Sequence, residues 1–288
     1  VDRAIDPGFD PTGRGLISRA LPAAGFASKV RAVNPPLRFN VLGTGISALS
    51  LEQARDRVLG ARGRRGLGYV CCATAGNVNL ACSDSALRTA YNQSFLTTPD
   101  GMPLVWLGRW HGHCSITRVY GPDLMLAVCD AGRAIGLTHY FYGGEPGVAE
   151  TLREKLSAMF PGLQVCGTFT PPFRPLSPPE LEQFRADVAA RKPDAIWVGI
   201  STPKQEKFMA EHWRTLDAGL LIGVGAAFDF HAGRVAQAPR WMQRSGLEWF
   251  FRLCVEPRRL WKRYLVHNPM FVIRTFAQLT GLRRYPLD

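Results

Sequence analysis

The chain has 288 residues, of which 46% are hydrophobic and 20% charged. That balance excludes a disordered chain and allows a sizeable core. Its formal net charge of +12 points to an anionic partner such as nucleic acid, lipid headgroups or phosphorylated ligands.

Residues 1–36 are rich in Gly, Pro and Arg without a steady period, and read as an irregular leader. Order is expected from Arg38–Gly43, a short strand. Ser50 then caps a helix to about Leu59, with Glu52 in its first turn. Gly68–Thr74 is an apolar strand, and Ser85–Asn92 a helix. Leu124–Ile135 reads as a helix, 137–144 as a strand running into Gly143-Gly144, and Val148–Met159 as an amphipathic helix. Further strands are expected at 163–168, 195–200 and 220–225, and helices at 178–191 and 204–213. Ser177 and the prolines after it mark the start of the helix at 178.

Strand–helix alternation with near-continuous apolar strands predicts an α/β fold: a Rossmann-like parallel sheet with helices on both faces. Ligands of such sheets sit beyond the carboxyl ends of the strands, here marked by Thr74, Gly143, Gly144, Gly199 and Gly223–Gly225. Residues 37–237 are read as this catalytic domain. After Pro239 the character changes, and 238–288 is expected to be a helical, arginine- and aromatic-rich appendage that associates with a membrane.

Seven cysteines at irregular spacings, with no C-x-x-C pair, argue for reduced cytosolic thiols and against a disulfide framework or zinc site. No apolar run is long enough to span a bilayer, and no basic-then-apolar secretory segment opens the sequence.

Gly43-Thr44-Gly45-Ile46-Ser47-Ala48 matches the G-x-G-x-x-A dinucleotide fingerprint. The next strand, however, ends Cys72-Ala73-Thr74 without the expected acid, and the following helix starts late. A plain loop is the better reading; a non-enzymatic nucleotide- or nucleic-acid-binding α/β module is the first alternative for the chain, and a dinucleotide-dependent oxidoreductase the second. In Thr98-Pro99-Asp100-Gly101 a carboxylate sits in a Pro/Gly turn; it is either a base or ligand, or a turn Asp bonding its own backbone. Asp123 is read as the cap of its helix, and Arg118 just before it as a phosphate holder or a solvated side chain. The loop after Gly199 opens a helix bearing Lys204, Gln205 and Glu206, a start suited to an anion or simply solvated.

Between Arg234 and Arg284 eleven Lys/Arg (Arg234, Arg240, Arg244, Arg252, Arg258, Arg259, Lys262, Arg263, Arg274, Arg283, Arg284) face only Glu248 and Glu256. Arginines interleaved with Trp241, Trp249, Phe250, Phe251, Trp261 and Tyr264 fit an anionic membrane surface or a subunit contact better than nucleic acid. No D-x-D, Walker A or G-x-S-x-G motif occurs, and His111 and His113 lack a third partner at metal-site spacing, so no metal and no cofactor are expected.

Six ordered stretches carry a resemblance: Pro-Asp-Gly-Met-Pro at 99–103, Arg-Val-Tyr-Gly-Pro-Asp-Leu at 118–124, Phe-Tyr-Gly-Gly at 141–144, Gly-Ile-Ser-Thr-Pro-Lys-Gln-Glu at 199–206, Gly-Ala-Ala-Phe-Asp-Phe-His-Ala-Gly at 225–233, and the Ala-Pro-Arg-Trp to Lys-Arg-Tyr tail at 238–264. Over about 38–275 the chain resembles the WecG/TagA/CpsF family of bacterial glycosyltransferases. The resemblance implies metal-independent, inverting transfer from a UDP-sugar to a polyprenyl-diphosphate-linked saccharide, as in teichoic-acid, common-antigen, capsule or exopolysaccharide synthesis. It implies a peripheral enzyme on the cytoplasmic face of the bacterial inner membrane, and leaves a homo-oligomer open. The family's base aspartate falls on Asp100, its active-site arginine on Arg118 and its glutamine on Gln205. The arginines of its C-terminal appendage fall on Arg252, Arg259 and Lys262-Arg263. Many members end the second strand in T-x-N; here Thr74 and Asn77 stand at a different spacing, which bears on the sugar recognised. Gly143, Gly144, Gly199 and Lys204 complete the expected substrate contacts.

Overall fold

The computed structural model describes residues 36–287, without the side chains of Arg259, Lys262 and Arg263. The expected leader lies almost wholly outside the described residues. The chain opens with an antiparallel hairpin, β1 (Arg38–Val41) and β2 (Thr44–Ser47), turning at Leu42-Gly43. The G-x-G-x-x-A string is therefore neither a plain loop nor a phosphate loop. It forms the turn and second arm of this hairpin, and Asn92 Oδ1 accepts from the Gly45 N–H at 2.9 Å.

Helix α1 (Leu51–Leu59) starts at Ser50 in a capping box with Gln53. Strand β3 (Gly68–Ala73) leads through Thr74 into α2 (Ala75–Ala81), α3 (Ser85–Asn92), β4 (Leu96–Pro99) and α4 (Met102–Trp110). Then come α5 (Gly121–Gly132), β5 (Thr138–Gly143), α6 (Val148–Met159), β6 (Gln164–Phe169), α7 (Pro178–Arg191) and β7 (Ala195–Gly199). After α8 (Lys204–His212), β8 (Leu220–Gly223) and α9 (Ala227–His231), the chain is helical: α10 (Arg240–Arg244), α11 (Glu248–Val255), α12 (Pro257–Lys262), a π-helical turn at 263–267, and α13 (Asn268–Leu279). The helix at 121–132 is entered from Tyr120, with Pro122 in its first turn. Asp123 therefore lies inside the helix and caps nothing; its carboxylate accepts from Arg240 at 3.3 Å.

Six strands form one parallel sheet in the order β4-β3-β8-β7-β5-β6. Alternate residues of each apolar strand enter different cores, as a period of two requires. Val70, Phe141, Trp197 and Ile222 meet α1, α5 and α6 on one face. Tyr69, Cys71, Tyr140, Tyr142, Ile196 and Val198 meet α3, α4 and α7 on the other. The fold is thus the α/β sheet with two helical layers that the strand pattern predicts, followed by C-terminal helices.

Packing is uneven within the C-terminal stretch. Phe271 of α13 is buried in the second core. Asn79 of α2 accepts from Arg274 at 2.9 Å and pairs with the His267 ring at 3.1 Å. Gln278 accepts from the Leu42 N–H at 2.9 Å, and the Tyr285 carbonyl from Asn40 at 2.6 Å. By contrast α11 contributes no buried residue.

Candidate active site

At the carboxyl end of the sheet the ladder between β3 and β4 runs one step past both strands, because the Asp100 N–H donates to the Ala73 carbonyl at 2.9 Å. That bond holds Asp100 beside Thr74. The extended segment before α5 is held alongside: the Val119 N–H donates to the Pro99 carbonyl at 2.9 Å. Arg118 is thereby set against Asp100 by main-chain bonds rather than by its own flexible side chain. Its Nε donates to the Asp100 carbonyl at 2.5 Å, and its Nη2 lies 3.4 Å from Asp100 Oδ1. The same Nη2 donates to Glu248 Oε2 of α11, and the guanidinium stacks 4.0 Å over the Tyr120 ring.

These groups floor a cavity of about 550 Å³, a size suited to a small-molecule site. One wall is Thr74, Ala75, Gly76 and the start of α4; the other is the C-terminal helices, with Glu248, Trp249, Arg252, Tyr264 and Phe271. Asp100 and Arg118 are 13% and 15% exposed. Burial, reinforced by the nearby Glu248 carboxylate, raises the Asp100 pKa to about 6, against the lowering effect of Arg118 and Arg252. Burial opposes the Arg118 charge, yet Asp100 and Glu248 outweigh it and hold its pKa above the ordinary value. Arg252 sits in the same balance: burial is outweighed by Tyr264, Tyr120, Glu248 and Glu256. Its side chain is 3.8 Å from Glu256, and its buried Nε has no hydrogen-bond partner among the described residues. Arg252 lines the cavity, and a guanidinium there is suited to an anion.

Four of the expected residues thus meet in one cavity: Asp100, Arg118, Thr74 and Arg252. Thr74 also caps α2, its hydroxyl accepting from the Asn77 N–H at 3.3 Å. The Asn77 side chain is buried and donates to Thr202 Oγ1 at 3.2 Å. Gln205 is buried too. Its Oε1 accepts from the Gly225 N–H at 3.1 Å and its Nε2 reaches Glu206 at 3.1 Å, so its amide ties the start of α8 to the turn after β8. Neither Asn77 nor Gln205 lines the cavity of Asp100. The expected glycines have packing reasons of their own. A Cβ on Gly143, where φ is +135°, would come within 2.6 Å of the Gly199 carbonyl, and one on Gly199 within 2.6 Å of the Phe228 ring. A Cβ on Gly144 would come within 2.8 Å of Val148. Lys204 is at the exposed start of α8, reaching the Phe173 carbonyl at 3.5 Å. The side chains of Arg259 and Arg263 lie outside those described.

Sequence reasoning missed Glu248 and Tyr120. Glu248 had one signal, being one of only two acids among the eleven cations of the tail. Among the described residues no group of three or more His, Cys, Asp or Glu is placed to hold a metal ion, and no helix is long and apolar enough to cross a membrane.

A family model described as the glycosyl transferase WecG/TagA/CpsF family matches residues 39–285. The sequence is 29% identical over 185 residues to N-acetylglucosaminyldiphosphoundecaprenol N-acetyl-beta-D-mannosaminyltransferase of Bacillus subtilis (strain 168), covering 64% of this chain and 70% of the relative. It is 28% identical over 167 residues to the enzyme of the same name from Bacillus spizizenii (strain ATCC 23059 / NRRL B-14472 / W23), covering 58% of this chain and 63% of that relative. The second match thus spans less than two thirds of its relative's length.

Proposed function

The chain belongs to the WecG/TagA/CpsF family and is a glycosyltransferase; on that premise we propose that it transfers a hexosyl or N-acetylhexosaminyl group from a UDP-sugar to a polyprenyl-diphosphate-linked saccharide, with inversion and without a metal, in cell-surface or exopolysaccharide synthesis. The observation that carries this reading is the buried Asp100–Arg118 pair at the sheet's carboxyl end, in one cavity with Arg252.

In the proposed step the acceptor hydroxyl oxygen attacks the anomeric carbon from the face opposite UDP. The bond from that carbon to the β-phosphate oxygen breaks, and its electron pair leaves with UDP. The hydroxyl proton passes to the Asp100 carboxylate. A base there contributes roughly 10²–10⁴-fold, and a pKa of about 6 leaves it ionised at neutral pH while making it a better proton acceptor than an ordinary aspartate. Charge gathering on the departing diphosphate is met by Arg118 and Arg252, whose guanidinium groups suit phosphate oxygens and need no metal bridge. The absence of a D-x-D motif agrees with that division of labour.

The relatives' printed names specify an N-acetylmannosaminyl group and an N-acetylglucosaminyl-diphosphoundecaprenol, which makes these the first donor and acceptor to try. The proposed location is the cytoplasmic face of the inner membrane, where such a lipid would present its headgroup. A panel of UDP-sugars scored for UDP release and product with an N-acetylglucosaminyl-diphosphate-polyprenyl acceptor tests the reading. Acceptor-dependent UDP release with at least one sugar is expected; none across the panel would overturn it.

A further inference from the structure

Helix α4 lies immediately after Asp100 and belongs to the sheet domain, yet it presents Trp106 and Trp110, 50% and 78% exposed, one turn apart on one face. Large exposed aromatics are uncommon on a surface that meets only water. Trp106 lines the mouth of the active-site cavity together with exposed Leu247, Leu265 and Val272 from the C-terminal helices. From Val272 the apolar surface continues along α13 through the exposed Ile273 and Phe276. Two segments far apart in sequence therefore build one exposed apolar rim around the entrance to the site.

Exposed cations lie on both segments that build this rim. From Gly101 to Pro122 the sequence contains no acid, and α4 carries the exposed Arg109. The C-terminal stretch carries the exposed Arg244 and Arg258, and its sequence holds eleven Lys/Arg against two acids, one of which, Glu248, is turned inward onto Arg118. Among the described residues no helix could cross a bilayer, so an apolar rim with a basic surround has the chemistry of a surface that rests in the headgroup layer.

We propose that Trp106 and Trp110 of α4 form a second membrane-docking element, on the catalytic domain itself, which seats the cavity mouth against a bilayer carrying anionic headgroups. This rests on the reading of the chain as an enzyme of a lipid-linked acceptor. With α13 as one support and α4 as the other, the entrance between them faces the lipid surface, and an acceptor reaches Asp100 without leaving the bilayer. A tryptophan suits this position because its ring is apolar while its N–H stays hydrated.

The test is co-sedimentation of the full chain with phosphatidylglycerol-containing vesicles, comparing the parent with W110S and with W106S/W110S. Trp110 is exposed enough that W110S leaves the core intact, so that variant reports on binding and not on folding. The expected result is binding weakened roughly tenfold or more in W110S and further in the double variant, from the apolar surface removed. Vesicle binding equal to the parent's in both variants would overturn the proposal. So would a loss of self-association in sedimentation velocity with vesicle binding unchanged, which would assign the face to a second copy of the chain. UDP release by the parent with a short-chain, water-soluble acceptor is read in parallel: its failure breaks the enzyme reading, whereas indifference of vesicle binding to W110S breaks only this inference.

Discussion

The two walls of the cavity are held by different means. On the sheet side, Asp100 and Arg118 are placed by main-chain bonds, Asp100 to Ala73 and Val119 to Pro99, within a parallel sheet buried on both faces. On the C-terminal side, Glu248 and Arg252 ride on α11, which buries no residue and meets Arg118 through one carboxylate. A group that must take a proton at a fixed distance gains from the first arrangement. In the proposed step, groups that admit and release a bulky diphosphate gain from the second, because a helix without buried residues moves at low cost. The C-terminal stretch itself contains this contrast: α13 is bolted to the hairpin and α2 by Asn79, Arg274 and Gln278, whereas α10–α12 lie beyond the π-helical turn at 263–267.

The largest expected effect falls on the fixed wall. Asp100→Asn keeps the shape and removes the proposed proton acceptor, so kcat should fall by roughly 10²–10⁴-fold while UDP-sugar binding, measured by calorimetry, persists. Undiminished turnover would show that the base lies elsewhere. On the adjustable wall, Arg252→Ala removes one charge-assisted donor worth about 1.5–3 kcal/mol. A fall of roughly 10–100-fold in kcat/KM is expected, with thermal unfolding read in parallel. A large loss of stability in Arg252→Ala would mean that α11 is structural after all. Smaller still is the effect at the bolt. Asn79→Ala leaves Arg274 short of an acceptor in a part-buried site and should cost about 1–3 kcal/mol of stability, read as a lowered Tm.

Much of this architecture was legible in the sequence. The helix at 178–191 is announced by Ser177, two prolines and Glu180, which form the capping box found there. The strands at 68–73 and 195–199 are apolar runs of strand length. Less legible was β4, whose Leu-Thr-Thr-Pro reads as polar. Its threonines are fully buried because their hydroxyls donate to main-chain carbonyls, Thr97 to Tyr91 and Thr98 to Cys71. Hairpin arm β2 hid behind a glycine pattern that mimics a phosphate loop. The motif around Asp100 could be found locally, but its neighbourhood could not: Glu248 stands 130 residues from Arg118 in sequence, and only the return of the C-terminal helices over the sheet brings them together. The buried amides of Asn77 and Gln205 likewise gained partners at 202 and 225 that no local pattern indicates.

That return of the C-terminal helices is also what can be measured most directly. Asp100 faces Arg118, Arg252 and Glu248, with Tyr120 and Cys72 nearby. Its pKa of about 6 is raised by burial and by Glu248 and lowered by the two arginines. Because the proposed base must be ionised, kcat/KM should fall as pH drops through about 6. Glu248→Gln removes a negative neighbour and leaves Arg118 more fully to Asp100; both changes lower the Asp100 pKa. The pH profile of kcat/KM for the parent and Glu248→Gln is therefore the decisive comparison. A composite site predicts that the acid limb of the variant moves to lower pH, and an acid limb that stays in place or moves to higher pH would contradict it.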